Sequence, residues 1–340
     1  MLKIGLVGWG YWGRNYAKYF DASLDAQLSM VCDLREDMLL DAKQLYPYVQ
    51  TTTDIKDLAK AKLDGVILAS PASVHHKLAS YFIQEHIPLL IEKPLTNSYE
   101  TAIELEALAK KEQVKILVGH TFLYNQSVRF LKKEIDKGTF GHLYYLEFRR
   151  QSYGPIRDDV NIIWDFAPHD VAIANYLLGV SYPQSVYAEA GKFSRNEKED
   201  IAIITLRYPG NVLVNINVGW LYPIKIRTCT LLGDKKMAVF EDTNINEPVK
   251  IYDTSLSYPK EDEPVGASFR LGDILIPRIP VKDPLCTELH HFIEYLKNQE
   301  KPITPIEDGV TNVAILEVIN ESAKTGKEIA MSEWTQKNAS

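Results

Sequence analysis

The 340-residue chain reads as two domains of different class: an α/β domain built on a doubly wound parallel sheet, then an α+β domain with a largely antiparallel open sheet. Three observations predict this. Apolar strands alternate with helical patterns through the first third of the chain, and a glycine-rich turn follows the first of those strands. Beyond about residue 120 the strand-like runs lengthen, and several are joined by turn residues instead of helices. The expected domains are therefore 1–120 and 121–340.

In the first domain the strands are LKIGLVG, SMVCD, DGVILAS, PLLIEK and KILVGH. A helix is expected from about Arg14. VHHKLASYFIQEH and YETAIELEALAKKE carry apolar residues at helical spacing, as helices covering such a sheet do. In the second domain HLYYLEFRRQ, SVYAEAGKF, IAIITLRY, NVLVNINVGWL and IRTCTLLG read as strands. Pro209-Gly210-Asn211 and Gly233-Asp234 mark hairpin turns. A helix is expected to begin at Pro168 and run through VAIANYLL to Gly179, because proline suits a first turn and not a helix interior. Further helices span Pro284 to Asn298 and Asp308 to Lys324, and the stretch from Leu256 to Phe269 reads as a mobile loop.

A hydrophobic content of 46% is enough for two cores, and a net charge of -7 argues against a general binder of nucleic-acid backbones. Cys32, Cys229 and Cys286 are odd in number and lack CxxC spacing, so they read as buried or free thiols and no metal site is expected. The chain opens on a strand and has no apolar run of membrane-spanning length. The expectation is a cytoplasmic protein with a small-molecule partner and neither membrane nor nucleic acid.

The chemistry begins at IGLVGWGYWGRN, where Gly8, Gly10 and Gly13 follow a strand as GxGxxG. In a dinucleotide site the first glycine makes the tight turn, the second lets a pyrophosphate approach the backbone, and the third packs the helix on the sheet. Asp33, twenty residues past Gly13, closes the second strand where a carboxylate accepts from ribose hydroxyls. That favours NAD, while Arg35 leaves NADP open.

Three further groups have the residue types to carry chemistry, two of them where such a sheet meets ligands. Glu92-Lys93-Pro94 ends the strand PLLIEK, so Lys93 is either a donor to a substrate oxygen or a surface lysine. In WDFAPHD, Asp165 and His169 are four apart, the spacing of one helix face. They form either a carboxylate-oriented base or a helix cap with a packed histidine. SPASVHH places Ser70 and His75 at the sheet edge, within reach of a cofactor or as ordinary helix-start chemistry. Arg149, Arg150 and Arg157 read as a solvated face or an anion contact, RNEKED (195–200) as a solvated turn, and His290-His291 as a helix surface.

GxGxxG, EKP and the Asp165-to-His169 spacing together resemble the Gfo/Idh/MocA family of glucose-fructose oxidoreductase, inositol dehydrogenase and rhizopine catabolism, over essentially the whole chain. The resemblance implies a Rossmann domain, a C-terminal sheet domain used for homodimer or homotetramer contacts, and hydride transfer between a nicotinamide and a hydroxyl of a sugar, nucleotide sugar or cyclitol. It implies Lys93, Asp165 and His169 as the catalytic group, with His169 as general base. Glu92, Ser70, His75 and the backbone at Tyr11 and Trp12 would surround the cofactor. Where the family often carries an arginine, an aromatic and Asn-Pro, this chain has Leu123, Tyr124, Asn125 and Gln126, so the arginine contact does not carry over. The expected substrate contacts are Tyr124, Asn125, Arg157 and Trp164. RDDVNIIW, ahead of the aspartate, is similar to members of nucleotide-sugar pathways. A hydrolase or epimerase that retains its NAD, and a sugar-sensing binding protein, are the alternatives the family implies.

Overall fold

The computed structural model of the protein describes residues 1–20, 25–154, 156–195, 197–257 and 268–338. It divides into two units, Met1–Tyr124 with Lys282–Ala314, and Asn125–Val281 with Ile315–Ser340. The first is built on β1 (Leu2–Val7), β2 (Ala26–Cys32), β3 (Gln50–Thr52), β4 (Gly65–Leu68), β5 (Leu89–Glu92) and β6 (Ile116–Gly119). These pair in parallel in the order β3-β2-β1-β4-β5-β6. Every residue of β4, β5 and β6 is buried, which is why these segments are continuous apolar runs instead of alternating ones. The connections are α1 (Tyr11–Ala17), α2 (Glu36–Leu45), α3 (Ile55–Lys60), α4 (His75–Gln84) and α5 (Tyr99–Glu112). Helix α1 starts three residues before the expected Arg14, because Gly10 itself serves as its N-cap.

The second unit opens with α6 (Gln126–Asp136), β7 (Leu143–Gln151) and α7 (Ile162–Leu178). Then follow β8 (Ser185–Gly191), β9 (Ile201–Tyr208), β10 (Val212–Gly219), β11 (Ile226–Gly233), β12 (Met237–Glu241), β13 (Val249–Tyr252), β14 (Ser255–Ser257), β15 (Ser268–Arg270) and β16 (Ile274–Leu275). The chain ends with α8 (Pro284–Leu296), α9 (Ile306–Thr325), β17 (Ile329–Ala330) and α10 (Met331–Asn338). A nine-stranded sheet runs β16-β13-β12-β11-β7-β10-β9-β8-β17. Only β7 and β10 pair in parallel within it. The α/β class of the first unit and the largely antiparallel sheet of the second are as expected.

The single crossing expected at residue 120 is not the whole division, because Lys282–Ala314 returns to the first unit. The physical reason lies in α8, whose Leu285, Leu289, Phe292 and Ile293 join Ile4, Leu6, Tyr16 and Leu117 in one buried core. The loop expected from Leu256 to Phe269 is also shorter at both ends, since Leu256 pairs with Phe269 across β14 and β15. Residues 258–267 lie outside the described residues.

Helix α7 departs most from expectation. It begins six residues before Pro168, at Ile162, and Pro168 stands inside it. Asn161 is the cap that starts it, its side chain accepting from the backbone N–H of Trp164 at 3.1 Å. Asn161 is itself held by bonds from its amide nitrogen to Glu199 at 3.0 Å and Asn320 at 2.9 Å. Pro168 has no N–H for the carbonyl of Trp164, so the helix loses one internal bond there. The expected stop at Gly179 holds, with φ +66 in the left-handed region. Among the described residues no helix is long and apolar enough to cross a membrane.

Candidate functional site

In the parallel sheet Val7 lies opposite Cys32 and Leu68, Leu68 opposite Ile91, and Glu92 opposite Gly119. Gly8, Asp33, Ser70, Lys93 and His120 therefore follow the carboxyl ends of neighbouring strands along one edge. Ligands of open α/β sheets bind at that edge.

The glycine turn is built from the backbone outward. Gly8 has φ +96, and a Cβ there would lie 2.8 Å from the Ala69 carbonyl oxygen. A Cβ on Gly13 would meet the Gly8 carbonyl oxygen at 1.9 Å, so only glycine lets α1 pack this closely on the turn. A Cβ on Gly10 would meet nothing within 4 Å, which leaves the open backbone approach that a pyrophosphate requires. Between them Trp9 is buried, its ring edge-on to Tyr46 at 5.8 Å and its indole N–H donating to Asp41 at 2.7 Å. Asp33 accepts from the backbone N–H of Trp9 at 2.7 Å and of Arg35 at 3.0 Å, one on each carboxylate oxygen. Each oxygen keeps lone-pair capacity for a ribose hydroxyl. Tyr11 and Trp12 are exposed on α1, their rings edge to face at 5.4 Å. The set fits an NAD adenosine diphosphate half.

At the end of β4, Ser70 Oγ is buried and has no protein partner. His75 does not reach outward as expected. It is buried, with Nε2 2.8 Å from the Ser70 carbonyl and Nδ1 3.1 Å from that of Pro94 and 3.3 Å from that of Leu95. Its role is to tie the segment after β4 to the segment after β5. Burial lowers its pKa, so it is held neutral, against the pull of these carbonyls.

At the end of β5, Glu92 turns inward and its pKa is raised by burial to about 7. It accepts from Tyr16 Oη at 2.8 Å and from the Lys93 backbone N–H at 3.1 Å. That makes it a buried support behind Lys93 instead of an exposed cofactor contact. His120, after β6, is buried and brought down to about 4, first by burial and then by the Lys93 charge.

In the second unit Asp165 and His169 lie on α7, one helical turn apart. Trp220 Nε1 donates to Asp165 Oδ2 at 3.0 Å, and Arg157 approaches Oδ1 at 3.5 Å. Arg157 itself grips Asp159 through two bonds of 2.8 and 2.6 Å, so its expected substrate contact competes with an internal carboxylate. Trp164 sits on the same helix, partly exposed.

Several expected contacts are structural. Tyr124 is fully buried in the first unit, its hydroxyl 2.8 Å from His291 Nδ1 and 3.2 Å from Thr304 Oγ1. Asn125 caps α6, accepting from Ser127 N at 2.8 Å and donating to Asp242 at 3.1 Å. His291, expected on a helix surface, is buried, with Nε2 2.8 Å from the Lys301 carbonyl. Arg150 is neither a solvated face nor an anion contact, because it is buried against Asp170 with a closest approach of 2.7 Å. In the 195–200 turn Asp200 is buried and accepts from the backbone of Phe193 and Ser194, while Asn196 lies outside the described residues.

A parallel sheet with this glycine turn and Asp33 defines a dinucleotide-binding unit, followed in the chain by an α+β unit. The family profile for an oxidoreductase family with an NAD-binding Rossmann fold matches residues 2–120, and that for its C-terminal alpha/beta domain matches 132–331. The chain belongs to the Gfo/Idh/MocA oxidoreductase family, and its first unit is an NAD-binding Rossmann domain. It is 22% identical to myo-inositol 2-dehydrogenase of Thermotoga maritima over 98% of this chain and 99% of that one. It is 26% identical to UDP-N-acetylglucosamine 3-dehydrogenase of Acidithiobacillus ferrooxidans over 63% of this chain and 66% of that one. The WlbA dehydrogenase of Bordetella pertussis, solved with NADH and UDP-GlcNAcA, has the same fold, with a TM-score of 0.80, 22% identity and 97% and 98% of the two chains covered.

Sequence reasoning missed Tyr16, Thr121 and Glu288, which lie against Glu92 or each other. One signal was present. Glu288 interrupts the apolar stripe of Leu285, Leu289 and Phe292 on α8, where a carboxylate has no solvent to face.

Proposed function

We propose that the protein is an NAD-dependent dehydrogenase that oxidises a ring hydroxyl of a sugar, nucleotide sugar or cyclitol to a ketone. The observation that carries this reading is Lys93 at the carboxyl end of β5, on the same sheet edge as the Gly8 turn and Asp33. NAD, when bound, supplies the hydride acceptor. Lys93 polarises the reacting oxygen, His169 takes the hydroxyl proton, and Asp165 orients His169. Trp220 and Arg157 hold Asp165 in turn. The curated relatives named as inositol and UDP-N-acetylglucosamine dehydrogenases support the substrate class. The test is a panel of free sugars, cyclitols and nucleotide sugars with NAD and NADP, followed by reduced-nicotinamide absorbance. No turnover with any of them would overturn the reading.

Cofactor choice rests on Asp33. Asp33→Ala removes ribose acceptors and also the anchor of the Trp9 and Arg35 N–H groups. NAD binding is expected to weaken by about 1.5–3 kcal/mol. Loss of the anchor affects both cofactors alike, so the NAD-to-NADP affinity ratio isolates the ribose contribution and is expected to fall. A wild-type protein that binds NADP more tightly than NAD would show that Asp33 does not read the ribose.

A further inference from the structure

Tyr16, Glu92 and Glu288 are buried and, with the half-buried Thr121, form a connected set within the first unit. Tyr16 Oη lies 2.8 Å from Glu92 Oε1 and 3.2 Å from Glu288 Oε2. A tyrosine hydroxyl has one hydrogen to give. With both carboxyls ionised, two anions would compete for it and one would face oxygen lone pairs in an interior of low dielectric. One added proton resolves the conflict: a protonated carboxyl donates to Oη, and Oη donates to the other.

Donor counts say which carboxyl holds that proton. Glu92 is served on both oxygens, by Tyr16 and by the Lys93 N–H at 3.1 Å, and the Lys93 charge favours its anion. Besides Tyr16, Glu288 receives Thr121 Oγ1 at 3.1 Å, and its Oε1 is buried without a partner. Burial, then the neighbouring Glu92, push the Glu288 carboxyl well above the usual range. Burial, then the two carboxyls, likewise keep the Tyr16 hydroxyl protonated.

We propose that Tyr16 is a positioning residue: it takes a hydrogen bond from a protonated Glu288 and gives one to an ionised Glu92, which in turn holds the backbone of Lys93. The catalytic consequence rests on the dehydrogenase reading above, whereas the chain itself is a property of the first unit. The charged and titratable groups facing Glu92 are Tyr16 from α1, Lys93 beside it and Glu288 from α8; His120 stands beside Lys93. The chain carries its single proton once pH rises through about 7, where Glu92 ionises. Because burial lifts Glu92 above its unfolded value, the folded state also loses stability between the ordinary glutamate range and that pH.

The Lys93 amide reads the chain directly. Protein labelled with nitrogen-15 at lysine, with the Lys93 resonance assigned by its absence in Lys93→Met, is titrated with pH. In the wild type the resonance is expected to move with a midpoint near that of Glu92. Tyr16→Phe removes the donor to Glu92 and is expected to raise the midpoint by about one unit and lower turnover at neutral pH about tenfold, the value of one bond to a charged group. Glu288→Gln keeps an N–H donor for Tyr16 and adds no charge, so the midpoint is expected to stay. A static Lys93 resonance, an unmoved midpoint in Tyr16→Phe, or a midpoint about one unit lower in Glu288→Gln would each overturn the chain, the last because it would show a charged Glu288. A wild type that turns over no substrate while its Lys93 amide titrates as expected would reject the dehydrogenase reading and leave the chain standing.

Discussion

Lys93→Met is expected to lower turnover about 10²- to 10³-fold, the range for removing one preorganised donor from a developing oxyanion. NAD affinity is expected to stay close to wild type. Both halves follow from where the residue stands. Its backbone N–H bonds Glu92, and methionine leaves that bond in place. Methionine also keeps much of the length of the lysine stem. What disappears is a cation at the carboxyl end of β5, and its neighbours register the loss. The Lys93 charge lowers the pKa of Glu92 against burial and adds to burial in lowering that of His120. In the variant Glu92 is therefore expected to ionise at higher pH, while burial alone still keeps His120 neutral. Cofactor titration and steady-state rates on the same preparation check the result. Turnover within threefold of wild type would reduce Lys93 to a surface lysine.

What could be read from the sequence follows the range of the interactions involved. The first sheet is legible because buried parallel strands are continuous apolar runs, and because Gly13 answers a backbone contact with Gly8 inside the same short turn. The short polar strand β3 (QTT) has no such run and carries no signal of its own. Pro168 suits a first turn, and that local preference puts the expected start of α7 too late. The cap at Asn161, three residues before the N–H it serves, was the competing local signal. The histidines failed for a different reason. His75 opens α4 and His291 stands within α8, where a solvated reading is natural, and only partners distant in the chain such as Pro94 and Tyr124 show them buried. The burial of Tyr124 is likewise hidden from the sequence, since its partners His291 and Thr304 are more than 160 residues distant. The return of α8 to the first unit could not be inferred from periodicity, because an apolar stripe does not say which core it joins.

His169→Asn separates a general base from a packed histidine. A base acts only while unprotonated, so wild-type oxidation is expected to rise with pH as the imidazole loses its proton. The variant is expected to lose about 10²- to 10⁴-fold in rate, and its residual activity to lose that rise. The melting temperature is expected to change little, because His169 lies on α7 among elements held by other bonds: the Asn161 cap, the Gly179 stop and the buried Arg150–Asp170 pair one residue further along the helix. A packed histidine predicts the opposite pattern, a lowered melting temperature with the folded fraction still turning over and still following the wild-type pH profile. Asp165→Asn provides the internal control. Its Oδ2 accepts from Trp220, so an amide there keeps the volume and an oxygen for that indole N–H while removing the charge that stabilises an imidazolium. That variant is expected to retain its melting temperature and lose rate in the same direction as His169→Asn, with a double variant losing less than the product of the two. A primary isotope effect with substrate deuterated at the oxidised carbon establishes that hydride transfer limits the rate, the condition under which the pH profile reports the base. An active His169→Asn with an unchanged profile under that condition would remove His169 from the chemistry.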